Sequence, residues 1–127
     1  MDLIQASSAG GGCCAVRVRG HEISFGMEDG ADQGWQPVEG LVASLGACLG
    51  LAIARYCTTL GLSDAGLAVY LTYQMKDRPI RISSIVIDVE LPDGFPENRK
   101  PALERILQLC PVQATLNDPP EIDIDFG

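Results

Sequence analysis

The chain has few of the side chains that enzymes most often use for catalysis. Its 127 residues include one histidine and one tryptophan, and aromatic residues make up only 6%. Nine basic residues stand against 17 acidic ones, which gives a formal net charge of −8. Nucleic acids and anionic membranes are bound by clustered lysine and arginine, and only Arg99 and Lys100 are adjacent here. The charge therefore argues against a nucleic-acid or membrane partner.

Cysteine spacing gives no indication of a metal site or a disulfide framework. The five cysteines are Cys13, Cys14, Cys48, Cys57 and Cys110. Cys13 and Cys14 are adjacent and would point to opposite faces of a strand, and together with His21 they lack the spacing of a zinc site. An odd number without regular spacing is not typical of a disulfide framework. We therefore predict no bound metal and no resident cofactor, with thiols that are mostly reduced.

The longest hydrophobic run is too short to span a membrane. The longest uncharged apolar run, residues 40–54, has 15 residues, whereas a span needs roughly 20. Residues 1–8 have neither a basic region nor a long apolar stretch, so no signal peptide is predicted. We expect a cytoplasmic protein in which this run is a buried helix. Apolar residues make up 46% of the chain, which predicts either a buried central element or surface hidden in an oligomer.

The periodicity of apolar residues predicts one α+β domain over residues 1–127. Residues 9–12, Ala-Gly-Gly-Gly, are predicted to be a flexible stretch or a sharp break, and residues 28–36 a polar loop. The predicted elements are strands over 13–19 and 22–26, a helix from Pro37 to about Leu60, strands over 67–75 and 80–91, a helix over 97–109 with Leu109 on its apolar side, a helical turn over 110–116 and a strand over 121–126. The long helix is apolar nearly all round, so we expect it at the centre of a mainly antiparallel sheet.

Two segments resemble motifs of the OsmC/Ohr family. Residues 34–48, GWQPVEGLVASLGAC, resemble its central-helix motif, Pro-x-Glu-Leu-Leu followed by Ala-Ala-Cys. Residues 107–116, LQLCPVQATL, resemble its Cys-Pro-Val motif, and the predicted hairpin lies between the two. The resemblance covers roughly residues 13–126. It implies an OsmC-like fold, a mainly antiparallel sheet wrapped on a long central helix that carries Cys48, in an intertwined homodimer with active sites at the subunit interface.

The resemblance also implies a thiol-dependent peroxidase that reduces organic hydroperoxides. Cys48 corresponds to the peroxidatic cysteine, which would attack the peroxide and become a sulfenic acid. Cys110 corresponds to the resolving cysteine, which would condense with it to a disulfide. An external dithiol reductant would then reset the pair. The expected partners are a second copy of the chain and a small hydrophobic hydroperoxide or thiol ligand.

One position departs from the family motif. In the peroxidases an arginine on an N-terminal strand supports the thiolate, and a glutamate directly after the motif proline holds that arginine. Val38 stands at the glutamate position, and Glu39 comes one residue later. At about 100° per residue, Val38 would lie about 80° from Cys48 around the helix and Glu39 about 180° away. Glu39 therefore has two open interpretations, support for the site or a carboxylate favoured near a helix N-terminus.

The arginine itself has two candidates. Arg19 best resembles the family position, with Arg17 second, and the alternative is that both are solvated on an edge strand. Cys57 follows Cys48 by nine residues, so we predict that it lies on the opposite helix face, in the core. Cys110 precedes a helical turn that begins at Pro111, and a helix N-terminus favours a thiolate, although the end of the preceding helix opposes this effect.

Three functions remain open. The first is the peroxidase that the resemblance implies. The second is a non-peroxidase dimer of the same fold that binds an unknown ligand or senses redox state through its thiols. The third is a structural subunit, in which Cys48 is simply a small hydrophobic core residue, as buried cysteines often are.

Overall fold

The computed structural model describes residues 2–27, 29–30 and 32–127. Residues 28 and 31 of the predicted polar loop therefore lie outside the described residues. The chain divides into two compact units, Met1–Leu41 and Val42–Gly127. The expectation of a single domain over residues 1–127 stays a prediction.

A three-stranded antiparallel sheet with strand order β1-β2-β3 forms most of the first unit. The strands are β1 (Gln5–Gly10), β2 (Cys13–Val18) and β3 (His21–Gly26). The strands predicted over 13–19 and 22–26 are confirmed. The sharp break predicted over residues 9–12 is the turn at Gly11 and Gly12 that joins β1 to β2. The strand β1 itself, which pairs with β2 from Gln5 to Gly10, was not predicted. Its sequence, QASSAG, has little strand propensity, so pairing with a stronger neighbouring strand decides its conformation.

The beginning of the long helix packs on β3 within this unit. Phe25 and Trp35 form an isolated parallel bridge, and the Gly26 N–H donates to the Trp35 carbonyl oxygen at 3.0 Å. A Cβ at Gly40 would lie 2.6 Å from Cε1 of Phe25. Glycine is therefore required at this position if the Phe25 ring is to lie against the helix.

The long helix α1 (Pro37–Thr59) has 23 residues, which confirms the predicted helix. Proline is favoured at a first helical position because its missing N–H has no helical partner there. The helix ends before Gly61, whose φ of +71° suits the residue that follows a helix. Its buried residues lie on one side and are Val42, Leu45, Gly46, Leu49, Ile53 and Cys57.

Burial of α1 is one-sided rather than complete. Leu41 is 43% exposed and Leu51 is 70% exposed, so the expectation of a helix buried on all sides is not met within one chain. By length and composition alone α1 could also cross a membrane. The core helix of a soluble fold has the same properties, and the buried side of α1 is packed by the rest of its own unit.

An antiparallel hairpin of β4 (Ala68–Lys76) and β5 (Arg81–Glu90) covers the buried side of α1, as predicted. Alternate residues of the two strands point towards the helix. Leu71 and Ile85 pack near the middle of α1, and Val69 and Val89 pack nearer its end. A Cβ at Gly46 would lie 2.6 Å from Cδ1 of Leu71. This glycine lets β4 approach the helix two residues before Cys48.

Two short helices complete the second unit. A 3-10 turn (Glu97–Arg99) leads into α2 (Lys100–Gln108), and α3 (Pro111–Asn117) follows. Leu103 of α2 is buried against Ile53 and Cys57. Leu109, predicted on the apolar side of the helix, is exposed because α2 ends at Gln108.

The strand predicted over residues 121–126 is absent. No helix or strand follows Asn117 in the described chain, and Ile122, Ile124 and Phe126 are 80%, 79% and 91% exposed. Alternating apolar and polar side chains suit a half-buried strand. A strand also needs a neighbouring strand to accept and donate its backbone hydrogen bonds. The two antiparallel sheets and the long helix confirm the α+β class, and the intertwined homodimer stays a prediction.

Candidate dithiol site

Cys48 lies in the middle of α1, at the edge of its buried side. It is half-buried and packs against a buried cluster formed by Leu45, Leu49 and Cys110. The regular helix on both sides of Cys48 fixes the position of its backbone. Its side chain is therefore held beside the core without being enclosed by it.

Cys110 lies in the short connection between α2 and α3. Its N–H donates to the Leu107 carbonyl oxygen at 3.2 Å, and its own carbonyl oxygen accepts from the Ala114 N–H at 2.8 Å. It is the residue that precedes α3, and Pro111 occupies the first helical position. These bonds hold the backbone of Cys110 on both sides, so the two helices together position its thiol.

The fold brings the two cysteines together across 62 residues of sequence. The Cys110 thiol donates to the Cys48 carbonyl oxygen, with 3.4 Å between Sγ and O. Cys110 is only 4% exposed. The pair therefore combines a buried thiol with a neighbour that solvent can reach in part.

The pKa of Cys110 is raised to about 11, first by burial, then by a hydrogen bond with the Cys48 side chain and by the charge of Cys48. Desolvation disfavours a charged thiolate, and a second negative charge nearby does the same. The helix N-terminus at α3 was expected to favour a thiolate at Cys110, whereas burial, the largest cause of the shift, moves the pKa of Cys110 in the opposite direction. Cys110 is therefore a neutral thiol at neutral pH.

The two candidate arginines belong to the first unit. Arg17 forms an ion pair with Glu22 at 2.8 Å and donates to the Ser7 hydroxyl at 3.3 Å. Arg19 lies in the turn after β2 with φ of 50°, and its Nε is 3.9 Å from the Asp2 carboxylate. Both side chains are more than half exposed. Support of Cys48 by either arginine stays a prediction.

Glu39 caps the first turn of α1. Its Oε1 accepts from the Gln36 N–H at 2.8 Å, which is the return bond of a capping box in which the third helical residue binds the residue before the helix. The carboxylate is exposed and lies near the positive end of the helix dipole. Of the two open interpretations, this geometry favours the cap. Val38, at the motif's glutamate position, is half-buried.

The other cysteines have different environments. Cys57 is fully buried with Ile53 and Leu103, and its pKa is raised by burial and then by the charge of Asp64. Cys13 and Cys14 are half-buried on β2 of the first unit. Within residues 2–27, 29–30 and 32–127, no group of three or more His, Cys, Asp or Glu side chains could hold a metal ion.

A cavity of about 280 Å³ lies next to the dithiol cluster in the second unit. Its apolar residues are Leu49, Ile87, Val89 and Leu107, and its polar ones are Glu104, Gln108 and Gln113. Leu49 and Leu107 also pack in the cluster that contains Cys110. The Gln113 amide donates to the Gln108 side chain oxygen at 3.3 Å. These glutamines carry no motif that the sequence alone would have revealed, because their proximity depends on the angle between α2 and α3.

Known proteins share the fold of this chain. The OsmC-like protein family model matches residues 30–125. No curated protein sequence matches the chain. An OsmC-like protein of Mycoplasma pneumoniae has a similar structure, with a TM-score of 0.81 at 16% identity over 94% of this chain and 89% of that one.

Two further solved structures carry names that refer to peroxide resistance. The organic hydroperoxide resistance protein OsmC of Legionella pneumophila aligns with a TM-score of 0.70 at 15% identity, over 93% of this chain and 90% of that one. The organic hydroperoxide resistance protein OhrB of Bacillus subtilis aligns with a TM-score of 0.63 at 17% identity, over 93% and 92%. At such identities the likeness shows a shared fold, and the family model spans most of the sequence. The chain belongs to the OsmC-like protein family.

Proposed function

We propose that the protein is a thiol-dependent peroxidase that reduces organic hydroperoxides through a Cys48–Cys110 dithiol–disulfide cycle. The observation that carries the proposal is the contact between the Cys110 thiol and Cys48, at 3.4 Å from Sγ to the carbonyl oxygen. The family of the protein also supports the reduction of organic hydroperoxides, since two proteins of the same fold are named organic hydroperoxide resistance proteins.

In the first step the Cys48 thiolate attacks the terminal oxygen of the hydroperoxide, the one that carries the hydrogen. The sulfur–oxygen bond forms as the O–O bond breaks, and the alkoxide leaves and takes a proton to become an alcohol. Cys48 is oxidised to a sulfenic acid by two electrons, and the peroxide is reduced by the same two. Cys48 suits this role better than Cys110, because it is the more accessible thiol of the pair.

In the second step Cys110 resolves the sulfenic acid. Its sulfur bonds to the Cys48 sulfur, and the hydroxyl group leaves with the Cys110 proton as water. Burial, the largest cause of the raised pKa of Cys110, keeps that proton on the thiol at neutral pH, so the leaving hydroxyl has a proton donor beside it. An external dithiol then reduces the disulfide by exchange and is itself oxidised to a disulfide.

The surroundings of the pair favour a small apolar substrate. The adjacent cavity has four apolar lining residues and one carboxylate, Glu104, and the chain carries a net charge of −8. Like charge disfavours an anionic ligand at such a site. We also propose that the protein works in the cytoplasm as a homodimer, in which a second copy covers the exposed apolar side chains of α1 such as Leu51. Arg19, with Arg17 second, is the proposed cation beside the thiolate.

Peptide mass mapping after addition of one equivalent of cumene hydroperoxide tests the proposal. The expected product is a disulfide between Cys48 and Cys110, formed together with one equivalent of cumyl alcohol. The Cys57→Ala variant is the matched control, because it removes a thiol from the same helix and should give the same disulfide. Oxidation confined to Cys13 or Cys14 would reject the proposed pair.

A second candidate function is a ligand-binding or redox-sensing dimer without turnover. The substitution of Val38 for the family glutamate favours it, together with the capping role of Glu39, because the arginine would then lack its usual carboxylate partner. A binding protein would show a raised melting temperature with cumyl alcohol and no repeated consumption of hydroperoxide in the presence of dithiothreitol.

A further inference from the structure

A second cavity, of about 210 Å³, lies between α1 and α2 in the second unit. Its lining residues come from α1, at spacings of three and four positions, and from α2, and they are Ala52, Arg55, Tyr56, Thr59 and Ile106. Residues at such spacings lie on one side of a helix. The cavity next to the dithiol cluster has a different set of lining residues. The two cavities are therefore separate.

Arg55 is the charged residue of this cavity, and its other lining residues are neutral. Within the part of the chain that the structure describes, no carboxylate forms an ion pair with Arg55. Its guanidinium carries five N–H donors in a planar fork that matches the two oxygens of a carboxylate. The cavity next to the dithiol cluster has the opposite character, because its charged residue is Glu104. The Arg55 guanidinium is therefore available to an anion from outside the chain.

Tyr56 supplies a second donor on a ring that the core holds in place. Its ring lies 6.3 Å from the ring of Phe95, centroid to centroid, and packs on the buried cluster around Cys57. Among residues 2–27, 29–30 and 32–127, the Tyr56 hydroxyl has no hydrogen-bond partner. The Thr59 hydroxyl already donates to the Arg55 carbonyl oxygen at 3.2 Å. The phenol is therefore the neutral donor that this cavity can offer to a ligand.

One cation, one neutral donor and an apolar remainder define a class of ligand. A single arginine can bind a carboxylate through two parallel hydrogen bonds, whereas a phosphate dianion carries more charge than one guanidinium neutralises. Ala52 and Ile106 offer contact to an apolar group. A cavity of about 150 Å³ holds a benzene ring, so a cavity of about 210 Å³ has room for a ring that carries a carboxylate.

We propose that this cavity binds a small organic carboxylate, an acid with one aromatic ring or a short alkyl chain. The carboxylate binds the Arg55 guanidinium and the Tyr56 hydroxyl, and the apolar group lies between Ala52 and Ile106. Cys48 precedes Arg55 by seven residues, so it lies on the same side of α1, about 10 Å away along the helix axis. A ligand of this size ends before it reaches Cys48. The site is therefore additional to the dithiol and does not depend on the proposed peroxidase activity.

Titration of the reduced chain with sodium benzoate tests the proposal. Two-dimensional NMR of the ¹⁵N-labelled chain at pH 7 and constant ionic strength should show saturable shifts of the Arg55 Nε–H signal and of the amides of residues 52–59. The expected dissociation constant is about 1–10 mM, as suits a ligand of this size. Benzyl alcohol has the ring without the charge and should bind at least about tenfold more weakly. Inorganic phosphate has charge without the ring and should also bind more weakly than benzoate.

Four variants separate the charge, the phenol and the space. Arg55→Gln should weaken benzoate binding about tenfold or more, because the charge-assisted hydrogen bonds are lost, and Tyr56→Phe should weaken it about threefold. Ala52→Leu keeps both donors and fills part of the cavity, so the saturable shifts should be lost. Arg105→Gln is the matched control. It removes an exposed cation of α2 that does not line the cavity, and its affinity should stay within about twofold of the unmodified chain because such charges are screened.

Several results would each overturn the proposal. They are benzoate without a saturable shift, benzyl alcohol or phosphate that binds as tightly as benzoate, and Arg55→Gln that binds benzoate as tightly as Arg105→Gln. Both arginines are exposed, so a well-dispersed spectrum is expected for each variant, and Ala52→Leu tests the cavity without a change of charge. The samples contain no peroxide, so the result does not depend on whether the protein is a peroxidase.

Discussion

Cys48 and Cys57 are the same residue type on the same helix, nine positions apart, and their surroundings differ. Cys57 is fully buried among hydrophobic side chains of α1 and α2. Cys48 is half-buried and contacts Cys110. Neither the residue type nor the helix distinguishes them. They differ in the residue that packs against them. Cys48 packs against the thiol of Cys110, whereas Cys57 packs against Leu103 of α2.

The electrostatics of the two places lead to different chemistry. Burial raises the pKa of both Cys57 and Cys110. At Cys57 the second cause of the raised pKa is the carboxylate of Asp64. A carboxylate cannot form a disulfide with a thiol, so no redox chemistry joins these two residues. At Cys110 the second cause is the side chain of Cys48, so the interaction that shifts the pKa joins the two atoms that a disulfide would connect.

Substitution of Cys48 should have the largest effect on activity. Cys48→Ser removes the nucleophile, and the rate of cumene hydroperoxide consumption with dithiothreitol should fall about 10³-fold or more. Cys57→Ala should keep the rate within about twofold, because it lies on the far side of the helix. The comparison fails if both substitutions reduce the rate equally.

Substitution of Cys110 should change the product rather than abolish the first step. In Cys110→Ser, Cys48 still reacts once, but the sulfenic acid has no resolving thiol and remains on the protein. Turnover with a dithiol should drop roughly 10- to 100-fold, since the reductant must then attack the sulfenic acid directly. Trapping with dimedone and mass measurement should show one adduct on Cys48. An intermolecular disulfide formed instead would contradict the assignment of Cys110.

The pH dependence of Cys110 offers a smaller and more specific test. The folded thiol keeps its proton up to about pH 11, whereas a free thiol has a pKa of 9.0. Alkylation of Cys110 by iodoacetamide should therefore begin well above pH 9. In Cys48→Ser the pKa of Cys110 should decrease but stay above 9.0, because burial, the largest cause of the shift, remains. An unchanged labelling profile would show that Cys48 does not act on Cys110.

The same shift has a consequence for stability. Between pH 9 and 11 the folded state holds a proton on Cys110 that the unfolded state has lost, so this contribution to the free energy of unfolding is fully present below pH 9 and is lost as pH rises towards 11. Urea unfolding of the unmodified chain and of Cys110→Ser at pH 8, 9 and 10.5 measures it. The difference in the free energy of unfolding between the unmodified chain and Cys110→Ser should shrink with rising pH.

The core of the second unit could be predicted from sequence because its signals are local. Pro37 marks the start of α1, and the alternation over residues 80–91 marks a strand against the helix. β1 and residues 121–126 could not be predicted for one physical reason. A strand needs a neighbour as well as a pattern, so residues 5–10 with a poor pattern became a strand beside β2, and residues 121–126 with a good pattern did not.

The candidate site was predictable to a similar degree. The pairing of Cys48 with Cys110 came from the family resemblance, since 62 residues of sequence separate them and no spacing rule joins them. Helix arithmetic placed Glu39 away from Cys48, but only the hydrogen bond to Gln36 favours one interpretation of Glu39 over the other. The raised pKa of Cys110 depends on burial by several elements, which a single sequence does not reveal.

Truncation of Cys57 should affect stability only. Cys57→Ala removes a fully buried sulfur and leaves a small cavity beside Ile53 and Leu103. The free energy of unfolding should fall by about 1–3 kcal/mol, as measured by urea denaturation at pH 7. Formation of the Cys48–Cys110 disulfide should be unaffected at temperatures where the variant is folded. Loss of that disulfide in a folded variant would mean that the two cysteine environments on α1 are coupled.

Glu39 is a third position of α1 that can be compared with Cys48 and Cys57. Its substitution is expected to have the smallest effect. Glu39 precedes Cys48 by nine residues, and Cys57 follows by nine, so Glu39 and Cys57 share the side of α1 away from Cys48. If Glu39 is only a cap, Glu39→Ala should cost about 0.5–2 kcal/mol of stability, because the Gln36 N–H loses its acceptor. Glu39→Gln keeps an acceptor oxygen there and should cost less.

The rate of peroxide reduction separates the two interpretations of Glu39. Glu39→Gln removes the charge but keeps the hydrogen bond to Gln36, so a cap predicts a rate within about twofold of the unmodified chain. A carboxylate that orients the supporting arginine would lose its charge in the same variant, and the rate would fall by about tenfold or more because a charged partner is removed. Initial rates at pH 7 for Glu39→Gln and Glu39→Ala, measured well below their melting temperatures, therefore show whether this side of α1 affects the chemistry at Cys48.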